Sequence, residues 1–465
     1  MCFAFANAQF YYDKHGESRG AYKDSLDYAT LVGLAKRFHG SILVKKPVKG
    51  VKPRKNLEKI PENKIQRTFN VSRDSLRKEL WLEVEKNEIV KICVDAPVVA
   101  WETSLNSKIL NDSCLIFQAP MLTGTSKIDI YSSKYNSQHT INLAIDMKYL
   151  DFKNEEVLLG FNVYTTKSEL KDRNLINNED PERLVSVTGD YLVDKYPVTN
   201  CDFTQLMWDS IPEDSSLYIQ GSKKEQRISW RNRKKTSKRY ENCVTHDSAA
   251  STVFLYQAMI YANTRSINEG LKPYYLFSQT NIEDEQITPD GYIIGLCTFT
   301  THKAINTHVS IDASSDGYRL PYYDEWMMFA RGRDKKRAPW GDTSATFEKA
   351  LKYARFNSER PGNHIRLYYT EPVGQLQPNG YGLYDMFGLV REHVLLKKSL
   401  FRLNDAHPYC LKGGSYRVSQ KDEPSNPFIC PNWNKFNYGT YYPGFRCLMA
   451  GFRLIRNIGN NAKWE

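Results

Sequence analysis

The chain has 465 residues, of which 41% are hydrophobic and 13% aromatic, so it is long enough for two or three packed domains. No stretch approaches the roughly 18 unbroken apolar residues of a membrane helix, and the sequence therefore predicts no transmembrane segment. The net charge of +11 is concentrated in two short basic runs, residues 45–67 and 223–239. Its distribution therefore bears on function more than its total does.

The N-terminal residues 1–8, MCFAFANA, resemble the end of a secretory signal peptide, with Ala6-Asn7-Ala8 as a small-x-small cleavage site. The charged start and most of the apolar stretch of such a peptide are missing, which favours a true start further upstream over an accidental likeness. We therefore expect a protein that is secreted or located in the periplasm or cell envelope. Its cysteines can pair in an oxidising compartment, but the sequence does not indicate which ones do.

The next part of the chain, residues 9–88, is predicted to hold a short helical pattern followed by a linker rich in proline and lysine. From residue 89 the hydrophobic period changes to two. The segment INLAIDM, for example, places Ile141, Leu143, Ile145 and Met147 on one face. Residues 89–165 are thus predicted to form a small β-rich, sandwich-like module.

The second basic run, residues 223–239, contains nine lysines and arginines together with Trp230. Cations beside an aromatic ring are typical of surfaces that bind a polyanion. A solvated insertion loop is the favoured interpretation, because no nucleic-acid-binding signature accompanies the run. Nucleic acid is therefore not favoured as a partner, and polyanion binding is kept as a third hypothesis for function.

Seven short sequence blocks follow one another in the C-terminal part of the chain, and their order is informative. They are YLVDKYPVTNCDFTQLM (191–207), AMIYANTRSINEGLKPYYLF (258–277), GYRLPYYDEWMMFARGR (317–333), PWGD (339–342), EPVGQLQPNGYGLYDMFGLVREH (371–393), KGGSYR (412–417) and GFRLIR (451–456). Together they resemble the formylglycine-generating-enzyme-like, or sulfatase-modifying-factor, domain family over residues 185–458. The resemblance implies an irregular α+β fold related to C-type lectins, with little regular secondary structure.

Local signals within these blocks predict further structure. In GYRLPYYDEWMMFARGR, Pro321 suits a first helical position, Asp324 and Glu325 favour a helix start, and Gly332 suits its end. In NGYGLYDMFGLVREH, residues 379–393, apolar residues recur at helical spacing among glycines. This stretch is predicted either as an amphipathic turn or as a loop that holds an ion.

The cysteines of the matched domain depart from the family's catalytic pattern. Members that convert a sulfatase cysteine to formylglycine resemble one another in a copper-binding cysteine pair five positions apart, whereas Cys430 and Cys447 are seventeen apart here. Arg391 also replaces the tryptophan of the family's GNVWEW-like block. Both departures argue against formylglycine generation and against a copper cofactor. An oxidase with a site rearranged around Cys430 and Cys447 remains the alternative.

The resemblance also implies one structural calcium ion. In the calcium-binding members the ligands map onto the side chains of Asp385 and Glu392 and the main-chain carbonyls of Gly388 and Val390. Oxygen atoms of this kind are the ligands that calcium prefers. The four positions therefore form the predicted metal site.

The remaining distinctive feature is the loop of residues 426–445, which interleaves aromatic and amide side chains. Such side chains favour recognition of a protein or a glycan, although they can equally pack the domain's interior. The predicted ligand-binding residues are Trp433, Asn434, Asn437, Tyr438 and Tyr441. The leading hypothesis is a non-catalytic domain with a binding or structural role outside the cytoplasm.

Overall fold

The computed structural model is described at residues 60, 62–76, 79–95, 98, 100–132, 137–160, 182–207, 216–219, 226–229, 247–251, 253, 255–279, 291–297, 304–333, 336, 338–341, 347–355, 370–395, 409–415 and 450–464. The chain divides into two compact units. The first comprises Lys45–Leu150 and Tyr191–Lys195, and the second comprises Met1–Val44, Asp151–Asp190 and Tyr196–Glu465. Strands predominate over helices in the described ranges.

The first unit contains two four-stranded sheets. Its strands are β1 (Arg67–Val71), β2 (Leu80–Val84), β3 (Ile89–Val94), β4 (Ala100–Glu102), β5 (Asn106–Asn111), β6 (Cys114–Gln118), β7 (Gly124–Ser132) and β8 (Ser137–Ile145). A 3-10 turn at Glu62–Lys64 precedes β1, and a short helix, α1 (Arg73–Leu76), follows it. One sheet has the order β1-β3-β6-β5 and the other β2-β8-β7-β4.

Alternating apolar residues build the core of this unit. Val90, Ile92 and Val94 of β3 are buried, whereas the residues between them are partly exposed. Ile141 and Leu143 of β8 are buried on the opposite sheet, and buried residues of both sheets join in one hydrophobic cluster. The burial predicted for Ile141 and Leu143 in INLAIDM is confirmed, but Ala144 and Asp146 are buried too, so the expected alternation with exposed residues does not hold there.

The sheets begin earlier in the chain than the predicted module. Strands β1 and β2 fall within residues 9–88, which are predicted as helix and linker, and they pair in parallel with β3 and β8. Strand β1, RTFNV, alternates in burial but has only two apolar residues, and β2, LWLEV, begins with three apolar residues in a row, so neither carries a clear alternating pattern. Their partners lie on other parts of the chain, so no local signal marks the pairing.

A disulfide bond joins neighbouring strands β3 and β6 at Cys93 and Cys114, which are partners in the antiparallel register. The bond closes a loop with a sequence separation of 21 residues. Replacing both cysteines by serine is expected to lower the free energy of unfolding of this unit by about 3 kcal/mol, because the unfolded chain regains the entropy of the open loop. Urea unfolding of the variant and the wild type measures the difference. A loss below about 1 kcal/mol would contradict the expectation.

The second unit carries the remaining elements. They are β9 (Met147–Leu159), β10 (Arg183–Asp194), α2 (Asn200–Met207), β11 (Ser216–Ile219), β12 (Gln226–Ser229), α3 (Leu255–Asn268), β13 (Tyr275–Gln279), β14 (Gly291–Cys297), β15 (Ala304–Ile311), α4 (Tyr323–Arg331), α5 (Phe347–Ala350), β16 (Ala354–Arg355), β17 (Phe387–Gly388), β18 (Arg391–Leu395), β19 (Tyr409–Lys412), β20 (Ala450–Gly451) and β21 (Ile455–Trp464). Strands β9 and β10 each include residues of both units.

The described strands of this unit form several small sheets. Their strand orders are β21-β10-β9, β13-β15-β14 and β19-β18-β20, with two-stranded pairs β11-β12 and β16-β17. The sheet β19-β18-β20 brings the predicted ligand Glu392 beside Lys412 and Gly451, because β18 pairs with β19 in antiparallel and with β20 in parallel register. None of the helices in the described ranges has the length and hydrophobicity to cross a bilayer.

Helix α4 is the central buried element. All of its residues are buried, and Trp326 packs edge-on against Phe387 of β17. The helix begins at Tyr323, two residues after the predicted start at Pro321. The cause is the Glu325 carboxylate, which accepts the backbone N–H of Tyr322 at 2.8 Å and so caps the helix there. The predicted end at Gly332 is confirmed by its left-handed φ of 79°.

Candidate functional site

The stretch at residues 379–393 forms a turn and two short strands rather than a helix. Leu383, Met386 and Val390 are buried, so the apolar residues do contribute to the core as predicted. Asp385 adopts a left-handed backbone, with φ of 55°. A left-handed residue that is not glycine is uncommon and marks a tightly determined loop. The loop interpretation of this stretch is therefore the one that the structure supports.

Asn379 fixes the beginning of this loop. Its side-chain amide donates to the carbonyl of Phe329 at 2.6 Å, near the end of α4, and its side-chain oxygen accepts the backbone N–H groups of Tyr381 and Leu383. A single buried side chain thus satisfies donors and acceptors of two segments. Sequence reasoning does not find this role, because asparagine before glycine indicates only a turn.

Glu392 lies on β18 in the centre of the three-stranded sheet and is fully buried. Its Oε1 accepts hydrogen bonds from Arg453 Nε at 2.9 Å and Nη2 at 2.7 Å. Its Oε2 accepts from Arg453 Nε at 2.9 Å and from Trp326 Nε1 at 2.7 Å. Both carboxylate oxygens are therefore engaged by protein donors. This is the geometry of a strong, charge-assisted pair.

Arg453 is the principal residue that sequence reasoning misses. Its guanidinium is fully buried, and its Nη2 also donates to the main-chain carbonyl of Tyr384 at 2.8 Å. The side chain thus ties β18 to the residue before Asp385. Arg453 and Glu392 each lie in a family block, which is the only sequence signal for them. Neither block indicates that the two residues form an ion pair.

Asp385 is also buried, and its Oδ2 accepts the backbone N–H of Gly374 at 2.7 Å. Burial raises the pKa of its carboxyl to about 6, and the nearby negative charge of Glu392 acts in the same direction. The Gly374 hydrogen bond and the positive charge of Arg453 oppose this rise. The structure therefore brings the two predicted acidic ligands close enough to influence each other, with Arg453 acting on both.

The two remaining predicted ligands contribute main-chain atoms. Gly388 has a left-handed φ of 73°, and its N–H donates to the carbonyl of Gly413 at 2.7 Å. Val390 is buried in a small cluster with Ala249 and Leu389. For a calcium ion the four residues fit in part. Asp385 offers a buried carboxyl, whereas the Glu392 carboxylate is already held by Arg453 and Trp326.

Arg391, which replaces the family's tryptophan, is itself buried on β18, where it pairs with Ala450 of β20. The neighbouring Lys412 on β19 is also buried, and its Nζ lies 3.8 Å from the centre of the Tyr323 ring. Such a contact stabilises a cation that has left water. The fold therefore accommodates several buried cations around β18.

His393 follows Glu392 and is buried, with its Nε2–H donating to the carbonyl of Val253 at 2.9 Å. Burial lowers the pKa of its imidazole to about 4, against a weaker opposing effect of the hydrogen bond. Between about pH 6.5 and 4 the unfolded chain therefore binds a proton at this residue and the folded chain does not. Stability is fully present above pH 6.5 and falls as the pH drops.

We accordingly expect acidification from about pH 7 to 4.5 to destabilise the second unit through His393 by about 2 kcal/mol. The variant His393→Gln, which keeps a donor for the Val253 carbonyl, should lose this contribution. Urea unfolding at the two pH values, compared between variant and wild type, measures it and cancels the other titrating groups. An equal pH dependence in both proteins would show that His393 is not responsible.

Other predicted site residues lie outside the described residues. These are Cys430 and Cys447 of the alternative oxidase site, and the predicted ligand-binding residues Trp433, Asn434, Asn437, Tyr438 and Tyr441. Of the basic run 223–239, only strand β12 is described, in antiparallel pairing with β11. These predictions stay predictions.

Comparisons with known proteins identify the family of this chain. The profile of the sulfatase-modifying factor enzyme 1-like domain matches residues 154–458, which include all seven sequence blocks. The chain is also 27% identical over 237 residues to the chaperone protein LppX of Paenibacillus barcinonensis, a match that covers 49% of this chain and 66% of that protein. The match thus spans slightly less than two thirds of the length of that relative.

Three solved structures are similar at low identity. Treponema denticola variable protein 1 is 21% identical with a TM-score of 0.41, covering 69% of this chain and 96% of that chain. CarF is 20% identical with a TM-score of 0.39, covering 68% and 98%. PvdO from Pseudomonas aeruginosa is 14% identical with a TM-score of 0.37, covering 67% and 94%. Because the profile match extends over more than half of the sequence, this chain belongs to the sulfatase-modifying factor enzyme 1-like domain family.

Proposed function

We propose that this chain is a non-catalytic member of its family that binds a protein or glycan ligand in the cell envelope or outside the cell. The observation that carries the proposal is Arg391. The members that generate formylglycine resemble one another in a tryptophan at this position, which forms a wall beside their active centre. Here a buried guanidinium occupies the position on β18. A large planar cation there changes both the shape and the charge of that region.

The spacing of the cysteines supports the same proposal. Cys430 and Cys447 are seventeen residues apart, so the short motif that supplies the copper ligands of the oxidising members is not reproduced in the sequence. In this proposal the aromatic and amide side chains of residues 426–445 provide recognition instead of oxidation. Within this proposal Trp433 and Tyr441 are the principal contacts with the ligand.

Export is part of the proposal. The disulfide between Cys93 and Cys114 supports an oxidising compartment. The signal-like residues 1–8 favour the same location. The name of the relative LppX, a chaperone, supports a polypeptide as the class of ligand. We therefore favour protein over glycan.

The experiment tests whether the purified chain retains an unfolded protein in solution. A client protein denatured in guanidinium is diluted into buffer with and without this chain, and its aggregation is followed by light scattering. We expect aggregation to be suppressed. The double variant Trp433→Ala/Tyr441→Ala should require at least about tenfold more protein for the same effect, because buried aromatic residues dominate binding energy at interfaces.

A control substitution is made at an exposed apolar residue of the first unit. Ile109 of β5 is 57% exposed, and Ile109→Ala is expected to leave the suppression unchanged. Absence of suppression by the wild type would count against a polypeptide ligand, and a glycan array would then test the other class. Copper-dependent oxidation of a cysteine peptide would instead establish the alternative function, an oxidase that uses Cys430 and Cys447.

A further inference from the structure

The family resemblance implies a calcium ion at Asp385, Gly388, Val390 and Glu392, and the contacts of these residues determine whether such an ion fits. Calcium takes six to eight oxygen ligands at about 2.3–2.6 Å, and a carboxylate commonly supplies one or both of its oxygens. In the predicted cage, Glu392 is one of only two anionic ligands. The state of its carboxylate therefore decides whether the cage can hold the ion.

The Glu392 carboxylate faces a cation that belongs to the protein. Arg453 donates to Oε1 from both Nε and Nη2, and its Nε also lies 2.9 Å from Oε2. Trp326 Nε1 donates to Oε2 at 2.7 Å. A calcium ion bound to the same oxygens would lie within a few ångströms of the guanidinium. Two positive centres at that distance in a buried site repel each other strongly.

Arg453 also joins the elements that the ion would join. A calcium ion in the predicted cage would link the turn at Asp385 to strand β18 at Glu392. Arg453 makes the same link, because its Nη2 donates at 2.8 Å to the carbonyl of Tyr384, the residue next to Asp385, and its fork holds Glu392. Both Arg453 and Glu392 have side chains with no exposed surface.

We propose that the Arg453 guanidinium takes the place of the implied calcium ion, so that the loop from Tyr384 to Glu392 folds around an internal cation and the protein does not depend on calcium. The second unit then keeps the loop geometry of its family without a bound metal. Its stability is set by a covalently attached charge, which neither chelators nor a low calcium concentration can remove.

The first test uses the wild-type protein. It is dialysed against EGTA, then against buffer containing calcium chloride, and bound calcium is measured by elemental analysis beside a thermal unfolding curve in each condition. We expect substoichiometric calcium and midpoints that agree within about 1 °C, because a ligand that binds the folded state alone raises the midpoint by mass action. One equivalent of calcium, or a midpoint several degrees higher with calcium, would overturn the proposal.

The second test uses Arg453→Met, which leaves the carboxylates of Asp385 and Glu392 and the carbonyl of Tyr384 without the guanidinium. We expect a lower midpoint that calcium raises by several degrees, since the cation that competes with calcium for the Glu392 oxygens is then gone, although Trp326 still donates to Oε2. The double variant Arg453→Met/Glu392→Gln should lose this calcium response. Arg333→Met, at an exposed arginine over the Tyr381 ring, should show no calcium response, as in the wild type. A calcium response that is absent in Arg453→Met would also overturn the proposal. If that variant does not fold, the wild-type measurement still decides.

Discussion

Glu392→Gln is expected to lower the free energy of unfolding of the second unit by about 3–5 kcal/mol, the range found when one partner of a buried ion pair is removed. The substitution keeps the size of the side chain but takes away its charge. Arg453, whose guanidinium has no exposed surface, is then buried without its counter-ion. Trp326 also loses the charge on its acceptor. Urea unfolding followed by circular dichroism measures the loss.

The control is an exposed ion pair of a glutamate and a lysine in the first unit. Glu62 and Lys108 lie 3.3 Å apart with side chains that are 61% and 44% exposed. Glu62→Gln should change the free energy of unfolding by less than about 1 kcal/mol, because water screens the pair. Equal effects of Glu392→Gln and Glu62→Gln would show that the buried network does not hold the loop together.

Gly388→Ala is expected to lower the free energy of unfolding by about as much as Glu392→Gln does, but for a steric reason. A Cβ on Gly388 would lie 2.3 Å from the carbonyl oxygen of Arg355 and 2.6 Å from its backbone nitrogen. These are backbone atoms of strand β16, which pairs with β17 at this position, so they cannot turn aside as a flexible side chain can. We expect a loss of about 3–5 kcal/mol, the sum of overpacking and of a left-handed alanine.

Gly459→Ala separates the two contributions. Gly459 has a φ of 68°, close to the 73° of Gly388, but no atom lies within 4 Å of the position that a Cβ would take there. It should therefore lose only about 1–2 kcal/mol, the cost of the left-handed backbone. Thermal or urea unfolding of both variants gives the difference. If the two losses are equal, the close approach at Gly388 has relaxed and does not determine the loop.

The sequence predicts features that depend on neighbouring residues. Helix α4 follows from a proline, two acidic residues and a closing glycine within one block, and the burial of Ile141 and Leu143 follows from simple alternation. Family blocks in a fixed order predict the family, which the profile match confirms. Such signals are local or cumulative, and neither kind requires knowledge of which distant segments meet.

Features that depend on distant partners could not be predicted. Glu392 and Arg453 are 61 residues apart, and a carboxylate in a glycine-rich loop is equally compatible with a metal ion, water or a guanidinium. The Cys93–Cys114 bond depends on the register of β3 and β6, which no short motif encodes. The start of the β sheets at Arg67 is hidden for the same reason, because β1 finds its partner only in the folded module.

The buried cations around β18 connect stability with the proposed function. Arg391, Lys412 and Arg453 are all buried in or beside this sheet. In the proposed role Arg391 takes the place of the tryptophan implied for the oxidising members, while Glu392 holds Arg453 and Trp326 together. In the proposed binding role such rigidity is favourable, because a preorganised domain loses less entropy when a ligand is bound.

The most direct test of the proposed non-catalytic role is an oxidation assay. Purified protein is supplied with copper(I), oxygen and a peptide that carries the sulfatase cysteine motif, and conversion of the cysteine to formylglycine is followed by mass spectrometry. The binding role predicts no conversion above that of a protein-free control. Copper-dependent conversion that is lost in both Cys430→Ser and Cys447→Ser would contradict it and would establish an oxidase with a rearranged cysteine site.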